Sequence, residues 1–355
     1  MDNIRKARVV VLQRESLVAA GVPSLSVAAR IIEVLDYLAS DGVLEYVAIS
    51  ENSECATKSI GWADLLILSK HNSIQALMLS QLARRSGVKI VYDIDDWIFT
   101  FPSYSGGKSH ENGSFARDII GLADVITVAN SELQTRVAQQ LPGIEPVLMP
   151  NGMWVERHAE ASNNCGLEAT LPRVVFTNAD FLKVQNSRDS ILTALQVFFT
   201  RHREYTLDFF GDPFPEMFSL PFLHFTNRIP YDVYMRSLVA GGYHFAITPL
   251  GADEDQESAE FNLCKNPFKY INYGTAKVPG VYSNANIYRQ CVQHARTGLL
   301  VENTFESWYG AMELLAVDQP LRNAIRNAAF EDVMNNFHVK QSAAVLKQIL
   351  TELSL

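Results

Sequence analysis

Residues 244–283 read HFAITPLGADEDQESAEFNLCKNPFKYINYGTAKVPGVYS. An apolar run (FAIT) leads into the turn Pro249-Leu250-Gly251. A polar stretch, a helix within 265–276 and a second apolar run at 280–282 follow. Two short, unbroken apolar runs joined through a helix predict buried parallel strands in a βαβ unit, because strands covered on both faces have no polar side to alternate. The unit recurs on either side. Behind it lie apolar runs at 174–176, 206–210 and 223–225, with helical spacing at 190–200 and 231–239. Ahead lie a last run at 298–301 and a helical remainder, 305–355. The first half repeats the scheme, with strands at 8–13 (RVVVLQ), 45–49, 64–68, 89–92 (KIVY), 125–128 (VITV) and 146–149. Its helices fall at 26–38, 74–84, 115–122 and 132–141, the last capped by Ser131.

The alternation stops between 156 and 172, a polar segment with Asn163-Asn164 and Gly166 that reads as a linker. An α/β chain of 355 residues is too long for one ordinary core and divides into two doubly wound sheets. Ligands of such sheets bind at the carboxyl ends of the strands, so the cleft between the two is the expected site.

Composition narrows the function. The net charge of -9 leaves no electrostatic basis for holding nucleic acid. Cys55, Cys165, Cys264 and Cys291 form no C-x-x-C pair, so neither a disulfide framework nor a metal site is expected. Residues 1–8 are charged and run straight into a strand, and no window of 18 apolar residues occurs. The expectation is a cytoplasmic chain without a signal peptide or membrane span.

Several residues sit where chemistry is expected. Lys265 and Lys269, and Asn262 and Asn266 before them, are four apart and would share a helix face. Such a helix start suits a diphosphate, through free N–H groups, the dipole and point charges together. A solvated basic face is the alternative that spacing leaves open. Asp93, Asp95 and Asp96 follow the strand KIVY. They suit acceptor hydroxyls or general base work, or else cap a helix or hold a cation. Trp97, Phe99, Phe101 and Tyr104, with Gly106-Gly107, suit either a loop over a sugar or plain packing. Lys183, near Asn178 and Asp180, and Arg228 are candidate phosphate or nucleotide contacts, with a solvated loop lysine as the alternative for Lys183. His244 reads as structural, His110 has no assigned role, and the acidic run 253–260 reads as a solvated loop.

The segment 261–283 resembles the donor region of bacterial GT-B glycosyltransferases related to family 4, in a branch of polysaccharide and O-antigen assembly. Phe261, Asn262, Lys265, Lys269, Tyr273, Pro279 and Ser283 match the pattern F-N-x-x-K-S-x-x-K-x-x-E-Y-x-x-x-x-x-P-x-x-x-S. RIPYDVYMRSLV (228–239), FAITPLG (245–251), RTGLLVEN (296–303), VYDIDDWIF (91–99), ADVITVANSEL (123–133) and MPNG (149–152) are similar to the same group. The resemblance implies a GT-B fold, with two Rossmann-like domains facing each other across a cleft. Residues 1–160 would form the acceptor domain, 173–338 the donor domain, and 339–355 a helix crossing back. It implies a nucleotide-diphosphate sugar as co-substrate, no bound metal, and retention at the anomeric carbon. Lys265 and Lys269 would bind the diphosphate, with Asn262, Asn266, Asn272, Lys183 and Arg228 nearby. Asp95 or Asp96 would be the base, with Asp93 and Trp97 beside the acceptor. That acceptor would be a glycan, lipid-linked or small-molecule hydroxyl, used by a chain that is free, peripheral to a membrane or part of a biosynthetic complex.

Asn266 replaces the pattern's Ser, and two further positions depart from the family. The wider family has a Glu-x7-Glu pair where this chain has Cys264 and Asn272. Neither carries a carboxylate, and Asn accepts a hydroxyl more weakly. A deoxyribose nucleotide or loss of activity would account for the change. Besides a transferase, a sugar-nucleotide epimerase and a non-catalytic binding partner remain open.

Overall fold

The computed structural model describes residues 5–14, 18, 22–100, 102, 114–162, 171–178, 184, 187–251 and 256–355. Two parallel six-stranded sheets carry the chain. The first contains β1 (Ala7–Gln13), β2 (Leu44–Ser50), β3 (Leu65–Ser69), β4 (Lys89–Ile94), β5 (Val125–Val128) and β6 (Val147–Leu148), in the order β2-β1-β3-β4-β5-β6. The second contains β7 (Arg173–Asn178), β8 (Thr206–Gly211), β9 (Leu223–Thr226), β10 (Phe245–Thr248), β11 (Gly280–Ser283) and β12 (Leu299–Val301), in the order β12-β11-β10-β7-β8-β9. Each sheet winds outward in two directions from its first strand. The direction of winding reverses between β1 and β3 and between β7 and β10, which is where an open α/β sheet offers a crevice.

Strand registers set up the first half of the cleft. In the parallel pairs β3–β4 and β4–β5, Ser69 and Thr127 lie opposite Asp93. Three polar side chains therefore meet at the carboxyl end of an otherwise apolar sheet. The helix behind β1 runs as Leu25–Val27, a π-helical stretch Ala28–Ile32, and Glu33–Ser40. Widening of the turn at a π segment is a common mark of functional sites. Here it carries Arg30, which is 1% exposed, into the protein interior.

The chain leaves the first sheet through Pro150–Trp154 and returns through Phe337–Val339, and the two crossings are tied together. Met153 N donates to Phe337 O at 2.8 Å and Val339 N to Met153 O at 3.0 Å. Ser342 Oγ donates to Pro150 O at 2.6 Å. A Cβ on Gly152 would lie 2.8 Å from the Val339 Cα, so only glycine allows the crossings to touch. The final helix, Val339–Glu352, then buries Val339, Ala343, Leu346, Ile349 and Leu350 among Val9, Val11, Val27 and Ile31. Burial of each Leu or Ile contributes about 1.5–3 kcal/mol relative to exposure, so the chain's end is anchored on the first domain.

Three expectations change. Residues 156–172 are not a bare linker: Val155–Ser162 is a helix. Arg157 pairs with Asp36, and His158 Nε2 lies 2.8 Å from Glu33 Oε1 on the first domain. Val155 packs with Tyr231 and Tyr234 of the second. Asn130, not Ser131, caps the helix Ser131–Gln140, accepting from Leu133 N at 2.8 Å. The acidic stretch is helical from Gln256 to Leu263, where Gln256 Nε2 donates to Glu260 Oε1 one turn on; residues 252–255 lie outside the described residues, as does the rest of the linker, 163–170.

Candidate functional site

The first-domain side of the candidate site is built around β4. Asp93 is completely buried. Arg30 Nε lies 2.8 and 2.9 Å from its two oxygens, and Arg30 Nη2 is 2.8 Å from Oδ1. Thr127 Oγ1 donates to Asp93 Oδ1 at 2.7 Å, and Ser69 Oγ reaches Oδ2 at 3.5 Å. The expectation that Asp93 faces an acceptor therefore gives way to a buried clamp joining three strands to the π-helical stretch. Removing one partner of such a pair leaves an uncompensated buried charge, a loss of about 3–5 kcal/mol.

Two residues on, Asp95 is 2% exposed. Its Oδ1 lies 2.6 Å from the Lys70 ammonium. Burial opposes ionisation of Asp95, but Lys70, with help from Arg30 and Ser26, holds the carboxyl below its ordinary value. Burial likewise works against the charge on Lys70, and Asp95 and Asp96 outweigh it. Lys70 carries a φ of 51°, in the left-handed region that costs a non-glycine residue roughly 1–2 kcal/mol. Asp96 is half-buried, and its Oδ1 has no hydrogen-bond partner among the described residues. Trp97 packs edge-on against Phe99, centroids 5.0 Å apart, and donates from Nε1 to Thr100 Oγ1 at 2.8 Å. His71 beside Lys70 is fully buried; burial, and then Arg14, push it down to about 3, so its ring is neutral. Phe101, Tyr104, Gly106-Gly107 and His110 lie outside the described residues.

The second-domain wall is the loop after β10 and the segment following it. Leu250 N donates to Ser283 Oγ at 2.8 Å and Asn303 Nδ2 to Leu250 O at 3.0 Å. Asn262, buried, donates to Gly251 O at 3.1 Å. Asn262 thus holds the backbone of the loop. Lys265 and Lys269 do not share one helix. The chain forms Gln256–Leu263, breaks over residues 264–267, and restarts as Phe268–Thr275 with Pro267 at the N-cap. Proline disfavours a helical residue before it, which accounts for Asn266; Lys265 lies in the same break. Lys265 lies before the helix, its Nζ 4.2 Å from the centre of the Phe261 ring, and Lys269 lies in the first turn. Both are half-buried.

The break touches the first domain. Asn266 Nδ2 donates to the Asp95 carbonyl and, at 3.3 Å, to Asp95 Oδ2. Asn151 Nδ2 donates to Asn266 Oδ1 at 2.6 Å, and Arg30 Nη1 to Asn151 Oδ1 at 3.0 Å. Asn130, the helix cap, also donates to the Cys264 and Lys265 carbonyls, each at 3.3 Å. Cys264 is fully buried within the first domain's core cluster, and burial pushes its thiol up to about 12. It is a neutral packing residue. Asn272 is buried and accepts from Tyr231 Oη at 2.9 Å.

Arg228 pairs with Asp212, which follows the positive-φ Gly211 at the end of β8. Asn178 closes β7 and is buried, with its carbonyl accepting from Asp212 N at 2.8 Å. Lys183 and Asp180 lie outside the described residues. His244 packs edge-on against Tyr205, centroids 5.5 Å apart. Among the described residues no group of three or more His, Cys, Asp or Glu could hold a metal ion, and no helix is long and apolar enough to cross a membrane. Reading the sequence missed Lys70, Arg30, Asn130 and Asn151. The one signal available was a lone arginine at 30 within the apolar spacing Val27, Ile31, Val34.

No protein-family model matches the chain, and no curated protein matches it in sequence. Solved structures do. Sucrose-phosphate synthase from Thermosynechococcus elongatus superposes with a TM-score of 0.66 at 12% identity, over 98% of this chain and 99% of that one. HepE of Anabaena, in complex with UDP and glucose, gives 0.64 at 11% identity, over 98% and 100%. A protein described as a UDP-N-acetylglucosamine 2-epimerase from Listeria monocytogenes gives 0.62 at 10% identity, over 99% and 97%. The chain has the GT-B fold: two Rossmann-like domains facing each other, with the last helix returned to the first.

Proposed function

We propose that this chain is a glycosyltransferase, moving a sugar from a nucleotide-diphosphate sugar to a hydroxyl of a glycan, lipid-linked or small-molecule acceptor. One observation carries the reading. The segment bearing Lys265 and Lys269 meets the loop bearing Asp95 and Asp96 directly, through Asn266. The residues proposed for the diphosphate and for the acceptor are thereby adjacent, in a fold whose neighbours include a UDP- and glucose-bound protein.

In the proposed reaction, the acceptor oxygen forms a bond to the anomeric carbon as the bond from that carbon to the diphosphate breaks. The nucleoside diphosphate departs with the electron pair. Lys265, Lys269 and the start of the helix Phe268–Thr275 would stabilise the charge that develops there. Asp96, half-buried with its Oδ1 closed off from solvent, would orient the acceptor hydroxyl and take its proton through Oδ2. Asp95 is committed to Lys70 and Asn266 and would act on geometry. Lys183 and Arg228 are retained as further donor contacts, Arg228 once released from Asp212. The boundaries 1–160 and 173–338 rest on the break in the strand–helix alternation at 156–172.

A second reading, binding without turnover, is favoured by Cys264 and Asn272, neither of which offers a carboxylate to sugar or ribose. Calorimetric titration with a nucleoside and its mono- and diphosphates tests the shared premise. The diphosphate is expected to bind at least about tenfold more tightly than the nucleoside, since each tenfold is 1.4 kcal/mol and one charge-assisted phosphate contact supplies that. Equal affinity for nucleoside and diphosphate would remove the phosphate site from the account.

A further inference from the structure

The carboxylate of Asp95 does not stand alone in the cleft. Lys70 reaches it from the end of β3, at 2.6 Å, and Asn266 reaches it from the other domain. Lys70 Nζ also lies 3.5 Å from Ser26 Oγ. Its side chain is 17% exposed and its backbone is left-handed, a conformation that glycine adopts more readily. A lysine kept at such a position points from strain to function. Nothing in the strand pattern requires a cation there. Its backbone N–H donates to Asp93 O at 3.0 Å, which any residue but proline would supply.

The chain of contacts then continues across the cleft. Asn266 is fixed at both ends of its amide: Nδ2 donates to Asp95 and Oδ1 accepts from Asn151. Asn266 immediately follows Lys265 and precedes Pro267, which starts the helix bearing Lys269. Asp95, through its carbonyl and its Oδ2, thus holds the donor segment together with Asn151 and Asn130.

We propose that Lys70 is a positioning residue which, by fixing the Asp95 carboxylate toward Asn266, helps latch the donor segment 264–267 onto the first domain. Lys70 sits 195 residues before Lys265 and touches neither lysine in the contacts described, yet it sets the donor affinity. Its kinetic and binding consequences rest on the transferase reading; the structural latch does not.

Two measurements on Lys70→Met separate these. The first is hydrogen exchange of the intact chain. Amides of 262–268 are expected to exchange on the order of tenfold faster than in the wild type, while those of 173–178 and 206–211 stay protected. The second is titration with UDP, for which Kd is expected to rise by about tenfold, with Lys70→Arg restoring most of the loss because it keeps the charge. If Lys70→Met does not fold, Asn266→Ala probes the same latch from the other side, with faster exchange expected at 93–97. Unchanged exchange at 262–268 in a folded Lys70→Met, or at 93–97 in Asn266→Ala, overturns the proposal. So does a Met variant that binds UDP as the wild type does. Faster exchange with no binding of UDP, GDP, ADP, CDP or dTDP even in the wild type upholds the latch and overturns the transferase reading instead.

Discussion

Asp96→Asn is expected to lower turnover by about 100-fold or more while nucleoside diphosphate affinity stays within about twofold of wild type. A positioned general base contributes roughly 100- to 10,000-fold, and the amide cannot take a proton. The change is nearly isosteric, at a half-buried side chain whose Oδ1 has no partner among the described residues, so the fold is expected to survive it. Asp95→Asn should behave differently. That residue is bound to Lys70 and to Asn266, and its loss should appear as weaker donor binding through the loosened segment 264–267. Initial rates with varied donor and acceptor, together with UDP titrations, distinguish the two. Full turnover in Asp96→Asn would end its assignment as base.

The second large effect belongs to the lysines. Lys265→Ala and Lys269→Ala are each expected to weaken diphosphate binding by about one to two orders of magnitude, because a charge-assisted contact is worth roughly 1.5–3 kcal/mol. Binding of the free nucleoside should hardly change. Lys269 lies in the first turn of Phe268–Thr275, where N–H groups and the helix dipole favour an anion. Lys265 lies in the break, its ammonium over the Phe261 ring. Alanine at 265 also removes that cation–π contact, so a thermal melt must accompany its titration. Equal losses for nucleoside and diphosphate, or none for either, would rule the assignment out.

Why the sequence revealed the strands and not the latch follows from the forces involved. VITV at 125–128 and KIVY at 89–92 are unbroken apolar runs because helices cover both faces of their sheet, and that need is written locally. The final helix is legible for the same reason, since its buried residues recur at helical spacing; its crossing back was an expectation from the family resemblance. The polar site depends on register and on distant partners. Asp93 meets Ser69 and Thr127 only because three strands align, and meets Arg30 from 63 residues away. The four-residue spacing of Lys265 and Lys269 predicted one helix, but Pro267 stands between them and its ring ended the first before the second began. Cys264 and Asn272 were legible as departures from a pattern. Their burial, against the first domain's core and against Tyr231, is visible only in the fold. Lys70 carried no signal, since a left-handed lysine looks like any other lysine in sequence.

The most direct test of the account is to follow nucleoside diphosphate release from a panel of nucleotide-diphosphate sugars, UDP-glucose among them, with and without glycan and lipid-linked acceptors. The account predicts release that depends on the acceptor, with the sugar recovered on an acceptor hydroxyl. Conversion of the nucleotide sugar to its epimer with no acceptor present, or tight binding with no turnover across the panel, would contradict it.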